Sequence, residues 1–518
     1  MLILRPGSLL SQRFLQWPGW VAIFSGLVMG LPTVQPHLWG LAWLALAPLW
    51  WLICRYRWPQ AFGLGVLWGV AYHGSVLSWI TGLHPLTWLG VPWLASVAIA
   101  ATCWGLITLW GALMVGIWAL GLVKLTQACS PGVRIGLGVT LWCLLEWLWS
   151  QSPLWWTALN LTQSPSNLVV LHLGQISGPV TVAAVIVAVN GLGAEAFRKW
   201  HADQRWRRPY LYGALGLFLG AHLLGWSLYR QPLAAPASAQ LRIGIVQGNI
   251  PTRVKLTPLG LQQATQVYTQ GYEQLVAAGV DAVLMPEGAF PIRWPHQPPQ
   301  ALLTALRTQG VPLWVGTFLP QGDRITQSLA ALDSNGQVLS RYDKVKLVPL
   351  GEYIPWEGVF GGLVNRLSPI EASMVPGRLD QQFQTPWGSA IAAICYDSAF
   401  ANIFRHQAQT GGSFILTAAN NDPYSARMMA QTHAQNVMRA IETDRWAVQA
   451  TNTGYSSLID PHGQTRWQSG LNTPEVYVGE LARRTTQTLY VQWGSWLLLP
   501  WMGMSALGLF RSRLGRCG

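Results

Sequence analysis

Residues Ile391–Phe400 read IAAICYDSAF, a short apolar run that stops at a thiol and is followed at once by Tyr396 and Asp397. A short apolar run bounded by polar residues reads as a buried strand. The ends of central strands are where a layered α/β domain exposes its chemistry. The thiol is isolated: cysteines stand at positions 54, 103, 129, 143, 395 and 517, and Cys395 is the only one between Leu144 and Arg516. No CxxC pair and no histidine pair beside a cysteine pair occurs, which argues against zinc. A large polar region with one thiol also holds no disulfide framework. The other five cysteines flank or lie in apolar segments, where cysteine acts as a small hydrophobe. At this point Cys395 has two readings, an inert core thiol or a nucleophile.

Working outward, the same pattern recurs. LRIGIVQ (241–247), DAVLMPE (281–287), PLWVGTF (312–318), SLAALD (328–333) and SFILTAA (413–419) are strand-like runs. Helical stretches separate some of them, over 261–279 and 299–310, and DSNGQV and DPHGQT supply hairpin turns. Strands alternating with helices predict a layered α/β domain over residues 229–492, opened by the small-residue linker LAAPASAQ. Three polar residues end or follow apolar runs there: Glu287, Lys344 and Cys395. Their chemistry is coherent. A thiol with pKa ~8.5 is mostly protonated at neutral pH. A carboxylate can take its proton, the thiolate can attack an ester or amide carbonyl, and an ammonium can stabilise the resulting oxyanion. Taken singly, a glutamate after a strand is a cap and a lysine is a surface group, so composition alone does not group them.

The remainder of the chain has a different solvent. Charged residues make up only 10% of the 518 residues and tryptophan is abundant at 31. Apolar runs near or beyond the ~20 residues that cross a bilayer lie at about 19–34, 38–54, 60–80, 91–123, 133–149, 169–194, 209–228 and 493–510. This predicts a membrane domain of seven spans over 1–228, and an eighth span with a short tail over 493–518. The formal net charge of +13 lies mostly outside the polar region: residues 1–228 carry +8, 229–510 carry +2 and the last eight residues +3. A phosphate-binding groove would need that excess inside the polar region, so nucleic acid is not the expected partner. The charge instead marks topology. Arg5, Arg13, Arg55, Arg57, Lys124, Arg134, Arg198, Lys199, Arg511 and Arg513 flank alternate ends of the spans, while the loops near 35–37, 81–90 and 150–168 have no Lys or Arg. By the positive-inside rule both termini are cytoplasmic and the 229–492 domain lies on the opposite face. No small-residue cleavage site follows a short apolar core at the N-terminus, so no cleavable signal peptide is expected. Glu146, a carboxylate inside the fifth span, either reaches interfacial water or takes part in substrate handling.

The segments PEGAF (286–290), YDKVKLVPLGEYIPW (342–356) and AICYDSAF (393–400) resemble the three motif regions of the nitrilase superfamily, whose members share an α-β-β-α sandwich and a Glu-Lys-Cys triad. More narrowly, YDKVKLVPLGEYIP, RAIETDRWAVQATNTGYSSLIDPHG and EWLWSQSPLWW are similar to segments of the bacterial apolipoprotein N-acyltransferase family, and seven spans, a nitrilase-like domain and one last span match its layout. The resemblance implies Glu287 as general base, Lys344 as the oxyanion-stabilising lysine and Cys395 as nucleophile, with Glu352, Tyr396 and Asp397 supporting. It favours Lys344 over Lys346, and the two would share a face if that stretch were extended. Departures from the family pattern are Asp397 where a glutamate is usual, AANNDPYS with Asn421 and Tyr424 where Asn-Asp-Ala-Trp-Phe is common, the missing Arg after Glu146-Trp147, and Thr326–Ser328 where Asn-Ser is common. They bear on substrate positioning more than on chemistry.

The activity this resemblance implies is a two-step transfer. An acyl chain would pass from a membrane phospholipid to Cys395, and then to the N-terminal amine of a diacylglyceryl-cysteine on a lipoprotein. The partners would be a phospholipid donor, a diacylated apolipoprotein acceptor and the bilayer itself. The stretch Pro355–Ile370, with Trp356 and glycine hinges, is expected to form a mobile arm over the site. Rival readings are a membrane-tethered amidase using the same triad and a non-catalytic lipoprotein-binding module. A transporter is disfavoured by the scarcity of charge in the spans. The sequence calls for no cofactor: GxxxxGK[ST] and HExxH are absent.

Overall fold

The runs that read as strands are strands, and they stack in two sheets. The computed structural model describes residues 18–127, 129–203, 208–290, 298–349, 351–353, 374–422 and 424–514. The twelve strands are β1 (Gln240–Gln247), β2 (Ala282–Leu284), β3 (Leu313–Gln321), β4 (Arg324–Leu332), β5 (Val338–Asp343), β6 (Phe383–Thr385), β7 (Gly388–Ile394), β8 (Ile415–Ala419), β9 (Ala447–Thr451), β10 (Ser457–Ile459), β11 (Thr465–Gln468) and β12 (Glu475–Ala482). One sheet has the order β12-β1-β2-β3-β4-β5 and the other β11-β10-β9-β8-β7-β6. The central pairs β1–β2–β3 and β7–β8–β9 are parallel. Such strands are buried on both faces, which is why β7 and β8 read as continuous apolar runs rather than alternating ones.

Helices Pro258–Ala277 and Gln300–Gln309 cover the outer face of the first sheet, placing Tyr268, Tyr272, Leu302 and Leu306 against Val283, Val315 and Ala330. Helices Ala401–Gln409 and Ala426–Thr443 pack on β7, β9 and β10 of the second. Between the sheets Trp314 meets Phe414 and Trp387 with ring centroids 5.9 and 6.1 Å away. The result is the expected α-β-β-α sandwich. Both hairpins form as their turns dictate. Asp333 accepts from Asn335 N and Gln337 N, and Asp460 from Gln464 N, with Gly336 and Gly463 at positive φ.

The chain divides into two compact units, Met1–Ile80 with Ala101–Tyr229 and Ser495–Gly518, and Thr81–Ala100 with Arg230–Gly494. In the first unit the helices are close-packed through glycine. A Cβ on Gly65 would lie 2.8 Å from Val115 O, and one on Gly69 would lie 2.6 Å from Ala112 Cα. Glycines four residues apart thus let two helices approach backbone to backbone. Gly138 and Gly191 make room for Trp50, whose ring lies 5.4 Å from Trp118.

The spans differ from the expectation in detail. Six helical segments among the described residues are long and apolar enough to cross a bilayer: Pro36–Ile53, Trp58–Leu83, Trp93–Thr126, Pro131–Trp149, Pro179–His201 and Arg208–Tyr229. Among the described residues the expected first and eighth spans are shorter helices, Pro18–Gly30 and Leu498–Leu514, and the other six expected spans are of full length. The expected run 169–194 is interrupted. Short helices Leu168–Leu171 and Gly174–Ser177 end at Gly178, φ 75°, and Pro179 starts a new helix, because glycine there takes a positive φ that side chains disfavour and proline fits a first turn. The segment 91–123 contains no re-entrant turn and is one helix, Trp93–Thr126.

The second span breaks at Leu46, two residues before Pro48. Asn190 repairs it: Oδ1 accepts from Leu46 N and Ala47 N, and Nδ2 donates to Ala42 O and Ile186 O. Backbone groups freed inside a bilayer require such partners. Arg134 is not in a loop. It lies on helix Pro131–Trp149, buried, 2.8 Å from Glu195, which also binds Arg198 at 2.7 Å.

Candidate active site

The two sheets bring together residues that lie far apart in sequence. Glu287 follows β2 in a turn held by Gly316, whose backbone passes so close that a Cβ would lie 2.6 Å from Glu287 Cα. Lys344 lies one residue past β5, its N–H bonded to Gln327 O at 2.8 Å. Its ammonium is 1% exposed and sits between two carboxylates, Glu287 Oε1 at 3.0 Å and Glu352 Oε1 at 2.6 Å. Burial alone would lower the Lys344 ammonium, but the negative charges of Glu287 and Glu352 outweigh it and hold it well above its usual value. Burial raises Glu352, with Lys344 opposing and Glu287 adding to the rise. Its second oxygen accepts from Val348 N at 2.9 Å, fixing the loop that carries it.

Cys395 is the first residue after β7 and opens a 3-10 turn over Cys395–Ala399. Its φ is +49°, a conformation sparsely occupied by residues other than glycine and concentrated at functional sites. The thiol is buried and points at Asn420 O, 4.0 Å away. Asn420 N in turn donates to Glu287 Oε2 at 2.8 Å. The backbone of one residue, Asn420, therefore touches both the sulfur and the carboxylate. Burial pushes the Cys395 thiol up, Glu287 pushes it further and Lys344 opposes. Together the first two favour the protonated thiol.

Asp397 shows how a shorter acid serves this turn. It is fully buried and accepts from Lys346 N at 2.8 Å, Tyr342 Oη at 3.0 Å and Ile394 N at 3.1 Å. It ties the strand end before Cys395 to the stretch after Lys344. Burial raises its carboxyl to about 6, with Lys344 and these donors opposing. Tyr396 packs edge-on against Phe400 at 5.1 Å. Lys346 turns away from Lys344 and lies 4.6 Å over the Phe400 ring. The stretch leaves β5 at Asp343 and is not extended, so the two lysines do not share a face.

Asn421 is buried on Gly454, and neither polar atom of its amide has a hydrogen-bond partner among the described residues. Glu146 belongs to the first unit, where it accepts from Trp142 Nε1 at 2.9 Å and Leu159 N at 3.4 Å. Trp356 and the arm expected over Pro355–Ile370 lie outside the described residues. The sequence reading missed Asn420, which acts through its backbone, and Thr252, whose N–H and hydroxyl bind Asp422 and Asn420. Main-chain roles leave no residue-type signal.

Comparison with known proteins bears on this arrangement. Residues 242–490 match the carbon-nitrogen hydrolase family, and residues 25–192 match the apolipoprotein N-acyltransferase N-terminal domain. An apolipoprotein N-acyltransferase of Nostoc sp. is 51% identical over 485 residues, covering 93% of this chain and 96% of that one. The chain belongs to the apolipoprotein N-acyltransferase family. A second member of that family, from Thermosynechococcus vestitus, is 46% identical over 94% of each chain. An amidase from Nesterenkonia sp. is similar in structure over 52% of this chain and 98% of its own, with TM-score 0.38 and 20% identity. This chain joins an apolar helical region to a carbon-nitrogen hydrolase domain.

Proposed function

We infer that the chain transfers an acyl group from a membrane phospholipid, through a thioester on Cys395, to the N-terminal amine of a diacylglyceryl-cysteine on a lipoprotein. The observation that carries this reading is the buried Lys344 ammonium, bridged between Glu287 and Glu352 in the field of Cys395.

Glu287 takes the thiol proton as the sulfur attacks the ester carbonyl. Negative charge develops on the carbonyl oxygen, and Lys344 is the fixed cation that stabilises it. The tetrahedral adduct collapses, the C–O bond breaks, and the Glu287 proton passes to the departing lysophospholipid oxygen. In the second half the acceptor amine attacks the thioester carbonyl and Glu287 takes the amine proton. The C–S bond then breaks, and the sulfur recovers a proton from Glu287. Glu352 holds Lys344 in place and Asp397 holds the nucleophile turn. Tyr396 supports that turn through Phe400. Asn421, with an unpartnered amide one residue past Asn420, is assigned to substrate handling, and Glu146 to anchoring the loop around Leu159.

The alternating basic ends of the spans support cytoplasmic termini and an active site on the opposite, extracytoplasmic face of a bacterial inner membrane. A single-cysteine variant retaining Cys517 is labelled by a membrane-impermeant maleimide only after lysis on this reading. For the chemistry, purified protein given phospholipid and a diacylated lipopeptide yields a triacylated peptide, and omission of the peptide leaves an acyl adduct on Cys395 by mass spectrometry. Release of free fatty acid alone, with no triacylated product, overturns acyl transfer.

A further inference from the structure

A second lysine lies buried next to the candidate base. Lys255 is 3% exposed, and its Nζ donates to the backbone carbonyl of Glu287 at 3.2 Å. It ends the short helix Thr252–Lys255. Next to Glu287, Gly288 has φ +54°, and a Cβ there would lie 3.6 Å from Lys255 Nζ. The same helix is tied to the peptide that touches Cys395: Thr252 N donates to Asp422 Oδ2 at 2.7 Å, and Asn420 Nδ2 donates to Thr252 Oγ1 at 3.2 Å. Three segments, 252–255, 287–288 and 420–422, therefore lock together around this ammonium.

We propose that Lys255 is a positioning residue for the base, pinning the peptide that carries Glu287 and supplying it with a second positive charge distinct from Lys344. The proposal rests on the assignment of Glu287 as proton acceptor for Cys395. Two ionisable groups face Lys255, Glu287 from the turn after β2 and Asp422 from the loop after β8; Arg253 on its own helix is exposed. Burial lowers the Lys255 ammonium to about 8, and those two carboxylates oppose the shift. A buried lysine is expensive to keep charged, and a methionine would fill the same space. The position of the ammonium against Glu287 is what a methionine cannot supply. The charge is present below pH about 8 and lost above it, and the bond to the Glu287 carbonyl weakens when it is no longer charge-assisted, so thiol activation should carry a component that falls as pH rises through that value.

The test is the rate of Cys395 alkylation by iodoacetamide in the full-length protein in detergent, followed by peptide mass spectrometry across neutral to alkaline pH. In the parent, the rise of rate with pH is interrupted by a step near pH 8. Lys255→Arg, which stays charged throughout, keeps the neutral-pH rate within about 3-fold and loses the step. Lys255→Met loses the step and reacts about 10-fold more slowly at neutral pH, the effect of losing the charge-assisted bond that pins the Glu287 carbonyl. Parental rates in Lys255→Met, or a step that persists in either variant, overturn the proposal. Should Lys255→Met fail to fold, the Lys255→Arg profile decides alone. Because iodoacetamide needs no lipid, absence of triacylated product from the parent, with these profiles as expected, would defeat the acyl-transfer reading and leave the role of Lys255 standing.

Discussion

Two buried charge clusters in this chain are opposites in sign. In the first unit one carboxylate, Glu195, lies between two guanidinium groups, Arg134 and Arg198. In the second, one ammonium, Lys344, lies between two carboxylates, Glu287 and Glu352. Each has a cysteine in its field, Cys54 in one and Cys395 in the other. The same three kinds of group thus occur twice, and what separates them is proton capacity and backbone. Guanidinium does not give up a proton in proteins, and both oxygens of Glu195 are held by guanidinium groups, so the first cluster is a fixed tie between helices. The second cluster carries an excess carboxylate able to accept a proton. Cys54 ends a helix in the ordinary right-handed conformation, φ −66°, whereas Cys395 opens a turn at φ +49°. On the proposed reading, a thiol beside charges is therefore not in itself a nucleophile; the surplus carboxylate and the turn that carries the sulfur make the difference.

This contrast breaks if Cys395 proves dispensable. Cys395→Ala is expected to lower acyl transfer at least about 1,000-fold and abolish the acyl adduct, while Cys54→Ala stays within about 2-fold of the parent in the same lipopeptide assay. Next in size, Lys344→Met should lower transfer about 100- to 1,000-fold, since the developing oxyanion loses its cation. It should also destabilise the fold by about 3–5 kcal/mol, because two buried carboxylates are left facing each other; denaturant unfolding measures this. Arg134→Met should show the stability loss with turnover per folded molecule unchanged.

Smaller changes sharpen the comparison. In Gly316→Ala the new Cβ would lie 2.4 Å from Pro286 O, displacing Glu287 and lowering kcat about 100-fold with little change in KM, as sub-ångström alignment governs proton transfer. Asp397 offers a pH test. Its folded value of about 6 lies above the ordinary 3.8, so the folded state holds this proton more tightly than the unfolded one. Its contribution to stability therefore falls as pH rises from 3.8 to about 6 and is constant above. Asp397→Asn should remove that slope from Tm measured across the same window. The smallest effect is expected from Gly138→Ala, where the Cβ would meet the Trp50 ring at 2.1 Å. Overpacking of this kind destabilises by about 1–3 kcal/mol, and kcat should not move.

Much of this was legible in the chain. The runs that became β1, β3, β7 and β8 announced themselves because parallel central strands must be apolar on both faces. Glu287, Lys344 and Cys395 stood out at the ends of such runs, although only resemblance grouped them. Other features were written in the sequence but read through, such as Gly178-Pro179, which splits a span, and Pro48, which breaks another. What was not legible depends on distant partners. Lys255, in the polar stretch PTRVKLTP, looks like a surface lysine until Glu287 closes over it. Asn190 looks like a polar flaw in a span until its four bonds to Leu46, Ala47, Ala42 and Ile186 are seen. Asn420 contributes its peptide group, which every residue possesses.

Glu287 and Lys344 follow β2 and β5 of one sheet, and Cys395 follows β7 of the other, whose strands come later along the chain than all of the first sheet's apart from β12. A half-made chain therefore holds the carboxylate and the ammonium with no thiol beside them, and the three groups meet only when the second sheet has been added. On the proposed reading, reactivity at Cys395 is a built-in report that both sheets are in place.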